Sequence, residues 1–505
     1  MNIHLPHRIQ RGAVLLLLMM VFLISGIWLG IRYLGSVPGP ANPDVSGLIE
    51  ARNILLAAVI TAAGPVIAPG RLPTPDFLDP VEAPANNYDG DWNSCATSTW
   101  VPGAGLPAIG GTLAANTRCF GRIPWRTLAL GQYASVPQSD PRGVIPWYAM
   151  SPNVISGCIP KLNPSILNTT YTPFPPGTCK TVAQPFPWLT VRDPKGNLIT
   201  DRAAAVLILP GPALGSQNRT STALPGPRGY LDSVTVAATC IQPCVPGTYN
   251  NARFNWPNNV GLSFIQCAPA DTVDAKDVNY AAPYACNDRL TFITIEELME
   301  VTERAAMQHA AGRLRQYFSI NGFFPYAAPL GTVSYGECQD LTLSGLLPSK
   351  ATTSPGNPNP CTHARFDSAI SYPQPFYFEG WFNVNDWGDY IYYAVAPGCT
   401  QFSPTESSRQ DCKGSSARLA SGAINNARAI LIGTGAPIVA HPYADLMVTG
   451  QVRPSSNIAD YLDSPENRNG DNRFDATDKK VARNFVDSKV GRSYGYNDKV
   501  LVVAP

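Results

Sequence analysis

The chain has 505 residues, of which 49 are proline, 42 glycine and only 14% charged, with a formal net charge of +1. This length exceeds what one hydrophobic core usually serves, so two domains are expected. The proline and glycine content favours a loop-rich β or α+β protein over a helical bundle, and the balanced charge argues against a nucleic-acid partner.

The N-terminal region predicts a membrane span. An uncharged apolar stretch, GAVLLLLMMVFLISGIWLGI, runs from Gly12 to Ile31, and at about 1.5 Å per residue it would cross a hydrocarbon layer of roughly 30 Å. Arg8 and Arg11 precede it, so the positive-inside rule makes residues 1–11 a cytoplasmic basic leader. We expect a transmembrane helix over residues 12–34. A cleaved secretory signal is the alternative.

Two further helices are predicted. The segment LIEARNILLAAVITAAG begins shortly after Val45, is rich in helix formers and ends at Gly64-Pro65. The second helix opens with Thr294 and Glu297, which are spaced as a capping box. Its apolar stripe consists of Ile295, Leu298, Met299, Ala306, Ala310, Leu314 and Tyr317.

The remainder of the chain contains a series of motifs twice, in the same order. The matched pairs are GRLP with GFFP, WYAMSP at Trp147 with YYAVAP at Tyr392, AAVLILPGPAL at Ala204 with RAILIGTGAPI at Arg428, YLDS at Tyr230 and again at Tyr461, and NDRLTFIT at Asn287 with NDKVLVVA at Asn497. The shared order predicts two tandem modules, residues 35–290 and 291–505. Each is expected to be an α+β unit in which an amphipathic helix packs on a sheet and the Asn-Asp motif precedes the last strand.

The twelve cysteines favour disulfides over zinc, because the chain has no C-x-x-C pair and only five histidines. Disulfides persist outside the reducing cytosol. The repeat predicts the pairs Cys95–Cys119, Cys158–Cys179, Cys338–Cys361 and Cys399–Cys412. Cys240, Cys244, Cys267 and Cys286 lie in an insertion of the first copy, and all three of their possible connectivities stay open. A redox role is the alternative to these structural bridges.

One polar segment, NRNGDNRFDATD at residues 467–478, resembles a calcium-binding loop of the EF-hand or dockerin type. The ligands would be Asn467, Asn469, Asp471, the Arg473 carbonyl, Asp475 and Asp478, at loop positions 1, 3, 5, 7, 9 and 12. Asn472 stands where such loops have a glycine, and asparagine tolerates the left-handed conformation better than most residues. A solvated polar turn is the alternative to a Ca²⁺ site.

No catalytic residues are predicted. The sequence contains no G-x-S-x-G elbow, no H-E-x-x-H, no P-loop and no Rossmann fingerprint. None of the five histidines has a serine, cysteine or carboxylate partner at an interpretable spacing. We therefore expect a protein that is not an enzyme and, apart from possible calcium, has no cofactor.

The stretch QRGAVLLLLMM resembles the start of type IV pilins and type II secretion pseudopilins, in which a basic leader ends in glycine and an apolar helix follows. The resemblance makes Gly12 the residue before the prepilin peptidase cut and Ala13 the first mature residue, with Leu17 where most members have glutamate. It implies an N-terminal transmembrane helix followed by two tandem pilin-like heads, each a helix on an antiparallel sheet.

The function that this resemblance implies is a membrane-anchored minor pilin or pseudopilin-like structural or adhesive subunit. The localisation would be single-pass in the inner membrane, with the bulk of the chain periplasmic or extracellular. The expected partners are other pilin-like subunits through the N-terminal helix, the inner membrane and a surface or secreted protein. An anchored envelope hydrolase and a periplasmic binding protein are the alternatives.

Overall fold

The computed structural model describes about half of the chain. The described residues are 43–61, 72–76, 120–136, 142–151, 154, 162–168, 188–214, 217–219, 227–236, 246–252, 263–269, 286–331, 342–348, 381–382, 385–400, 412, 419–421, 424–437, 451, 453–463, 465–474, 485–487, 492–494 and 498–504. Strands predominate among them, and two long helices lie against the sheets.

The first lobe is built on a seven-stranded sheet, with helix α1 (Pro43–Thr61) packed on it. Its strands are β1 (Phe120–Arg122), β2 (Trp147–Met150), β3 (Leu189–Arg192), β4 (Leu198–Leu209), β7 (Ser263–Ile265), β8 (Ala268–Pro269) and β9 (Arg289–Thr294). The order is β1-β2-β4-β3-β7, with β9 paired to β4 and β8 paired to β9. Strand β4 is central, and its second half, RAAAVLIL, is buried throughout, as an apolar run covered on both faces should be. A separate hairpin joins β5 (Ser233–Val236) to β6 (Gly247–Asn250).

The second lobe is built on a smaller, fully antiparallel sheet. Its strands are β10 (Ser344–Leu346), β11 (Ile391–Val395), β14 (Ala429–Gly433) and β17 (Lys499–Ala504), in that spatial order. Two hairpins lie outside this sheet: β12 (Leu419–Ser421) with β13 (Ile424–Ala427), and β15 (Phe485–Asp487) with β16 (Arg492–Tyr494). A short helix, α3 (Pro465–Arg468), follows the YLDS motif.

The long helix α2 (Ile295–Asn321) contributes to the cores of both lobes. It begins at the predicted capping box, in which Thr294 and Glu297 satisfy each other's backbone amides, and it ends at Gly322 with φ 77°. All seven residues of the predicted stripe are buried. Those of its first turns, such as Leu298, pack into the first core, whereas Ala306, Ala310 and Leu314 pack into the second. One amphipathic helix thus joins two sheets.

The two sheets contain the same four-stranded framework. In the first lobe β1, β2, β4 and β9 are antiparallel neighbours in that order, and β10, β11, β14 and β17 repeat the order in the second. The register also repeats, since Leu207 faces Thr291 and the equivalent Leu431 faces Leu501. Three of the motif pairs, those that begin at Trp147 and Tyr392, at Ala204 and Arg428, and at Asn287 and Asn497, therefore supply equivalent strands.

A direct contact between the lobes is made by two asparagines. The Asn385 side chain accepts a hydrogen bond from the Leu162 amide at 2.9 Å, and its backbone carbonyl accepts one from the Asn163 side chain at 2.7 Å. Both bonds are buried, so together with α2 they hold the lobes against each other.

The predicted fold class, an N-terminal transmembrane helix followed by two pilin-like helix-on-antiparallel-sheet heads, is wrong. The described residues are mostly sheet, with two long helices, neither of which could span a membrane. The physical reason is that α2 is shared between two cores instead of serving one sheet, and that the first sheet contains the parallel pairs β3–β7 and β8–β9.

The predicted localisation, single-pass in the inner membrane, is likewise corrected. Among the described residues, no helix combines the length and the hydropathy that crossing a bilayer requires. The apolar stretch on which the prediction depended, residues 12–34, lies outside the described residues, as do the leader 1–11 and the processing residues Gly12 and Ala13. The domain bounds 35–290 and 291–505 stay predictions.

Two disulfides lie in the described part of the chain. Cys399 is bonded to Cys412, as the repeat predicts, and Cys267 is bonded to Cys286, which selects one of the three connectivities that the sequence left open. The remaining cysteines, Cys95, Cys119, Cys158, Cys179, Cys240, Cys244, Cys338 and Cys361, lie outside the described residues.

Candidate functional site: a buried polar cluster in each lobe

Polar side chains converge in each lobe where the loop after the central strand meets the entry to the last strand. The first-lobe cluster consists of Gln217, Arg219, Tyr230, Asp232, Asn251, Asn287 and Asp288. The second-lobe cluster consists of Gln451, Arg453, Tyr461, Asp463, Asn467 and Asp498. The two motifs that are repeated in the sequence, YLDS and Asn-Asp, provide the aspartates at the centre of both clusters.

Asp232 and Asp288 bind each other's backbone in the first-lobe cluster. The Asp288 carboxylate accepts from the Asp232 amide at 2.7 Å, and the Asp232 carboxylate accepts from the Asp288 amide at 3.0 Å. Asn251 donates its side-chain amide to Asp288 at 3.0 Å and also bonds both backbone groups of Ile265 on β7. The cluster thus ties the YLDS loop, β7 and the start of β9 together.

A glutamine and an arginine two residues apart complete the first-lobe cluster. Gln217 donates to the Asp232 carboxylate at 2.9 Å. Arg219 donates to the carbonyls of Gly211 at 2.7 Å and Tyr230 at 3.1 Å, and its guanidinium lies over the Tyr230 ring. The arginine therefore satisfies carbonyls of the loop that leaves β4, which would otherwise be buried without a donor.

The second-lobe cluster repeats these contacts. Gln451 donates to the Asp463 carboxylate at 2.6 Å, the Asp463 amide donates to Asp498 at 3.1 Å, and Asn467 donates to Asp498 at 2.7 Å. Arg453 donates to the carbonyls of Thr434, Gly435 and Tyr461, as well as to the Thr434 hydroxyl. Its guanidinium lies 5.2 Å from the Tyr461 ring centroid, the same separation as between Arg219 and Tyr230.

Burial dominates the electrostatics of both clusters. Desolvation raises the pKa of Asp288 well above its usual range, and the charge of the neighbouring Asp232 raises it further. Burial also raises the pKa of Asp232. Burial lowers the pKa of Arg219 and of Arg453. One Asp288 oxygen is buried without a hydrogen-bond partner. A proton on that oxygen removes the cost of an unpaired buried charge, so the first-lobe cluster favours a neutral Asp288.

The arrangement is suited to holding loops. Asp232, Asp288 and Asp498 are at most 6% exposed, and their oxygens accept from backbone amides and side-chain amides of the chain itself. These carboxylates therefore bind peptide groups of loops that are buried against the sheet.

Sequence reasoning found YLDS and Asn-Asp but missed the glutamine and arginine. A signal was present, because QNR precedes the first YLDS and QVR precedes the second. The spacing differs, with eleven positions from Arg219 to Tyr230 and eight from Arg453 to Tyr461. Arginine and glutamine are also usually exposed, so nothing in either segment alone indicates burial.

The structure brings two of the predicted calcium ligands, Asn469 and Asp471, within hydrogen-bond distance of each other and places Asn467 elsewhere. Asn467 is 2% exposed and bonded to Asp498 in the second-lobe cluster, whereas Asn469, Asp471 and Arg473 are exposed. Asp471 accepts from the Arg473 amide at 2.8 Å, and Asn472 takes the left-handed conformation with φ 62°. Asp475 and Asp478 lie outside the described residues, and within those described no group of three His, Cys, Asp or Glu side chains could hold a metal ion. Calcium binding stays a prediction.

Comparison with known protein families, with curated proteins and with solved structures finds no match to this chain.

Proposed function

We propose that this protein is a structural or adhesive subunit, of the kind that a minor pilin or pseudopilin supplies to a type IV pilus or a type II secretion system. The observation that carries the proposal is the doubled framework, in which the same four strands and the same buried polar cluster occur twice. Carboxylate, amide and guanidinium groups are used there to hold loops to sheets. Polar groups are expected to stabilise loops in this way in a protein whose function is to present a surface to other proteins.

The packing of the two lobes supports a structural role. Helix α2 enters both cores, and Asn385 adds buried hydrogen bonds between them. Disulfides Cys267–Cys286 and Cys399–Cys412 connect residues that lie outside the strands. A disulfide across a loop of this size stabilises by about 3 kcal/mol. We expect the partners to be other pilin-like subunits and a surface or secreted protein.

The resemblance of QRGAVLLLLMM to a prepilin start gives the sharpest test. The full chain is produced in a bacterium with a prepilin peptidase, and intact-mass spectrometry then determines the N-terminus. We expect cleavage between Gly12 and Ala13, abolished in a Gly12→Val variant and retained in the matched Gly26→Val variant. An N-terminus that is intact, or cut elsewhere, contradicts the proposal.

A phenotype provides an independent measurement. Deleting the gene from its host should reduce surface filaments or secretion, and the intact gene should restore them. A gene that encodes Arg453→Met, a variant without the arginine of the second-lobe cluster, should restore filaments or secretion less than the wild-type gene does. The shortfall should be in proportion to the stability that the variant loses. Hydrolysis of an envelope polymer, or tight binding of a small molecule by the purified protein, would instead favour one of the alternatives predicted from the sequence.

Calcium can be tested on the same preparation. If the loop binds the ion, millimolar Ca²⁺ raises the melting temperature of wild type and Mg²⁺ does not, because flexible oxygen-rich loops favour the larger cation. Asp471→Asn should remove the effect, and the exposed Asp201→Asn in the first lobe should retain it. Identical melting curves with and without Ca²⁺ would exclude the site.

A further inference from the structure

The sequence contains two Asn-Gly pairs, Asn321-Gly322 and Asn469-Gly470. In such a pair the backbone nitrogen of the glycine can attack the side-chain carbonyl carbon of the asparagine, because glycine has no Cβ to block the approach. Asparagine is accordingly among the chemically labile residues of proteins. The fold decides how readily this ring closes, and it holds the two pairs differently.

The pair at Asn321 lies at the end of a long helix. Asn321 is the last residue of α2, and the Gly322 amide donates to the Phe318 carbonyl at 2.8 Å in the helix cap. The nitrogen that would have to attack is therefore engaged in the capping hydrogen bond. Ring closure there requires this bond to break and the last turn of α2 to open, which costs the free energy of a local unfolding.

The pair at Asn469 lies in an exposed turn. Asn469, Gly470 and Asp471 are all exposed and follow the short helix α3. Gly470 has φ 76°, and a Cβ built on it would meet no atom of the described residues within 4 Å. The bonds that shape the turn are local, since Asn469 accepts from the Asp471 amide at 3.1 Å and donates to the Asp471 carboxylate at 3.0 Å. Exposed local hydrogen bonds open at little cost.

The first of these bonds also favours attack on the asparagine. The Asp471 amide donates to the side-chain oxygen of Asn469, which is the atom that becomes negatively charged when its carbon is attacked. An asparagine side chain that bonds the amide two residues on is folded back over the peptide group between them. The carbonyl carbon of Asn469 therefore lies over the peptide that contains the Gly470 nitrogen.

We propose that Asn469 is a site of spontaneous deamidation, for which the chain itself supplies the nucleophile. The Gly470 amide nitrogen gives up its proton and bonds to the side-chain carbonyl carbon of Asn469. The bond from that carbon to Nδ2 breaks, and Nδ2 leaves with the proton as ammonia. Water then opens the succinimide at either carbonyl, which gives aspartate or isoaspartate. The proposal goes beyond the structural role proposed above and does not depend on it.

The modification should loosen the segment that follows the turn. That segment pairs with Ala420, because the Ala420 amide donates to the Asn472 carbonyl at 2.9 Å and the Phe474 amide donates to the Ala420 carbonyl at 2.8 Å. The new carboxylate replaces an amide that donates to Asp471, so an attraction becomes a repulsion between like charges. Isoaspartate also lengthens the backbone by a carbon atom, which displaces the paired residues.

Peptide mapping by mass spectrometry tests the proposal on the full-length protein, incubated at mildly alkaline pH. The replacement of NH2 by OH is followed with time at Asn469 and Asn321, and chromatography separates aspartate from isoaspartate. In the folded protein we expect Asn469 to react at least about tenfold faster than Asn321. In urea, where neither pair is held, the two rates should converge. Equal rates in the folded protein, or a ratio that persists in urea, would overturn the proposal, because the fold would then not select the site.

A variant tests the mechanism and its consequence together. Asn469→Gln keeps the amide but places its carbonyl one carbon further along the side chain, so it should stay unmodified over the same period. The position is exposed, and the variant should therefore fold as wild type does. As wild type deamidates, hydrogen exchange at the Ala420 and Phe474 amides should become faster, and in Asn469→Gln it should stay constant. Modification of the variant at the wild-type rate, or unchanged exchange in deamidated wild type, would contradict the proposal.

Discussion

The first and second lobes use one framework but complete it differently. In the first, strands β3, β7 and β8 join the sheet, and a disulfide lies at Cys286. In the second, the sheet has four strands among the described residues, and Ala420 forms an isolated parallel bridge to Arg473. Their polar clusters differ as well, since Arg453 donates to more loop carbonyls than Arg219 does.

The difference indicates which contacts the framework needs. The glutamine, arginine, tyrosine, aspartate and asparagine contacts occur in both lobes, although the loops that carry them differ in length. We therefore regard the clusters as the part that makes either sheet stable.

The largest effect is expected from removing a cluster arginine. Arg453→Met leaves several carbonyls without a donor and should lower the free energy of unfolding by about 3 kcal/mol. Arg219→Met removes fewer strong hydrogen bonds and should cost about 2 kcal/mol. Chemical denaturation of both variants measures the two losses. A loss below about 0.5 kcal/mol in either lobe would show that its cluster does not hold the loop.

The contact between the lobes should have the next largest effect. Asn385→Ala leaves the buried Leu162 amide without an acceptor, which costs about 2 kcal/mol. Because this bond couples the lobes, calorimetry should also show a broader or divided unfolding transition. Gln132→Ala, which removes an exposed amide that bonds Glu50 at 3.3 Å, is the control and should leave the transition unchanged. An unaltered transition in Asn385→Ala would mean that the Asn385 side chain is not needed to couple the lobes.

The buried carboxyl of the first lobe predicts a pH dependence. The pKa of Asp288 is raised on folding, so the folded state binds more protons, and the stability that depends on this group is complete below the unfolded pKa of about 3.9. That stability is lost as pH rises through the folded pKa, and Asp232 contributes in the same direction. Asp288→Asn imitates the protonated form and should therefore be more stable than wild type at pH 8 by about 1 kcal/mol.

Denaturation midpoints of wild type and Asp288→Asn, measured from pH 4 to pH 8, test this sign. The difference should grow with pH. A variant that loses stability as pH rises relative to wild type would show that the Asp288 carboxylate is charged and satisfied.

The smallest of these effects concerns the helix shared by the lobes. Thr294→Ala removes the capping hydrogen bond to the Glu297 amide and should cost about 0.7 kcal/mol. Because α2 packs into both cores, the loss should appear in the unfolding of both lobes. Thr235→Ala, in the exposed hairpin of the first lobe, is the control. A loss confined to the first lobe would mean that the second core holds its part of α2 independently.

The sequence predicted the local features of this fold and missed how they combine. The Thr294–Glu297 capping box, the buried stripe of α2 and the position of Asn-Asp before the last strand were predictable, because each depends on a few neighbouring residues. The sharing of α2 could not be read from its stripe, since periodicity shows that a face is buried but not in how many cores. The Gln-x-Arg contacts were missed because their spacing to YLDS varies between the copies.

Hydrogen exchange at single amides of β9 and β17 tests the central claim, that the two lobes share one framework. The inward amides of Thr291 and Leu501, which face Leu207 and Leu431, should be protected alike. Unequal protection of Thr291 and Leu501 would contradict the account.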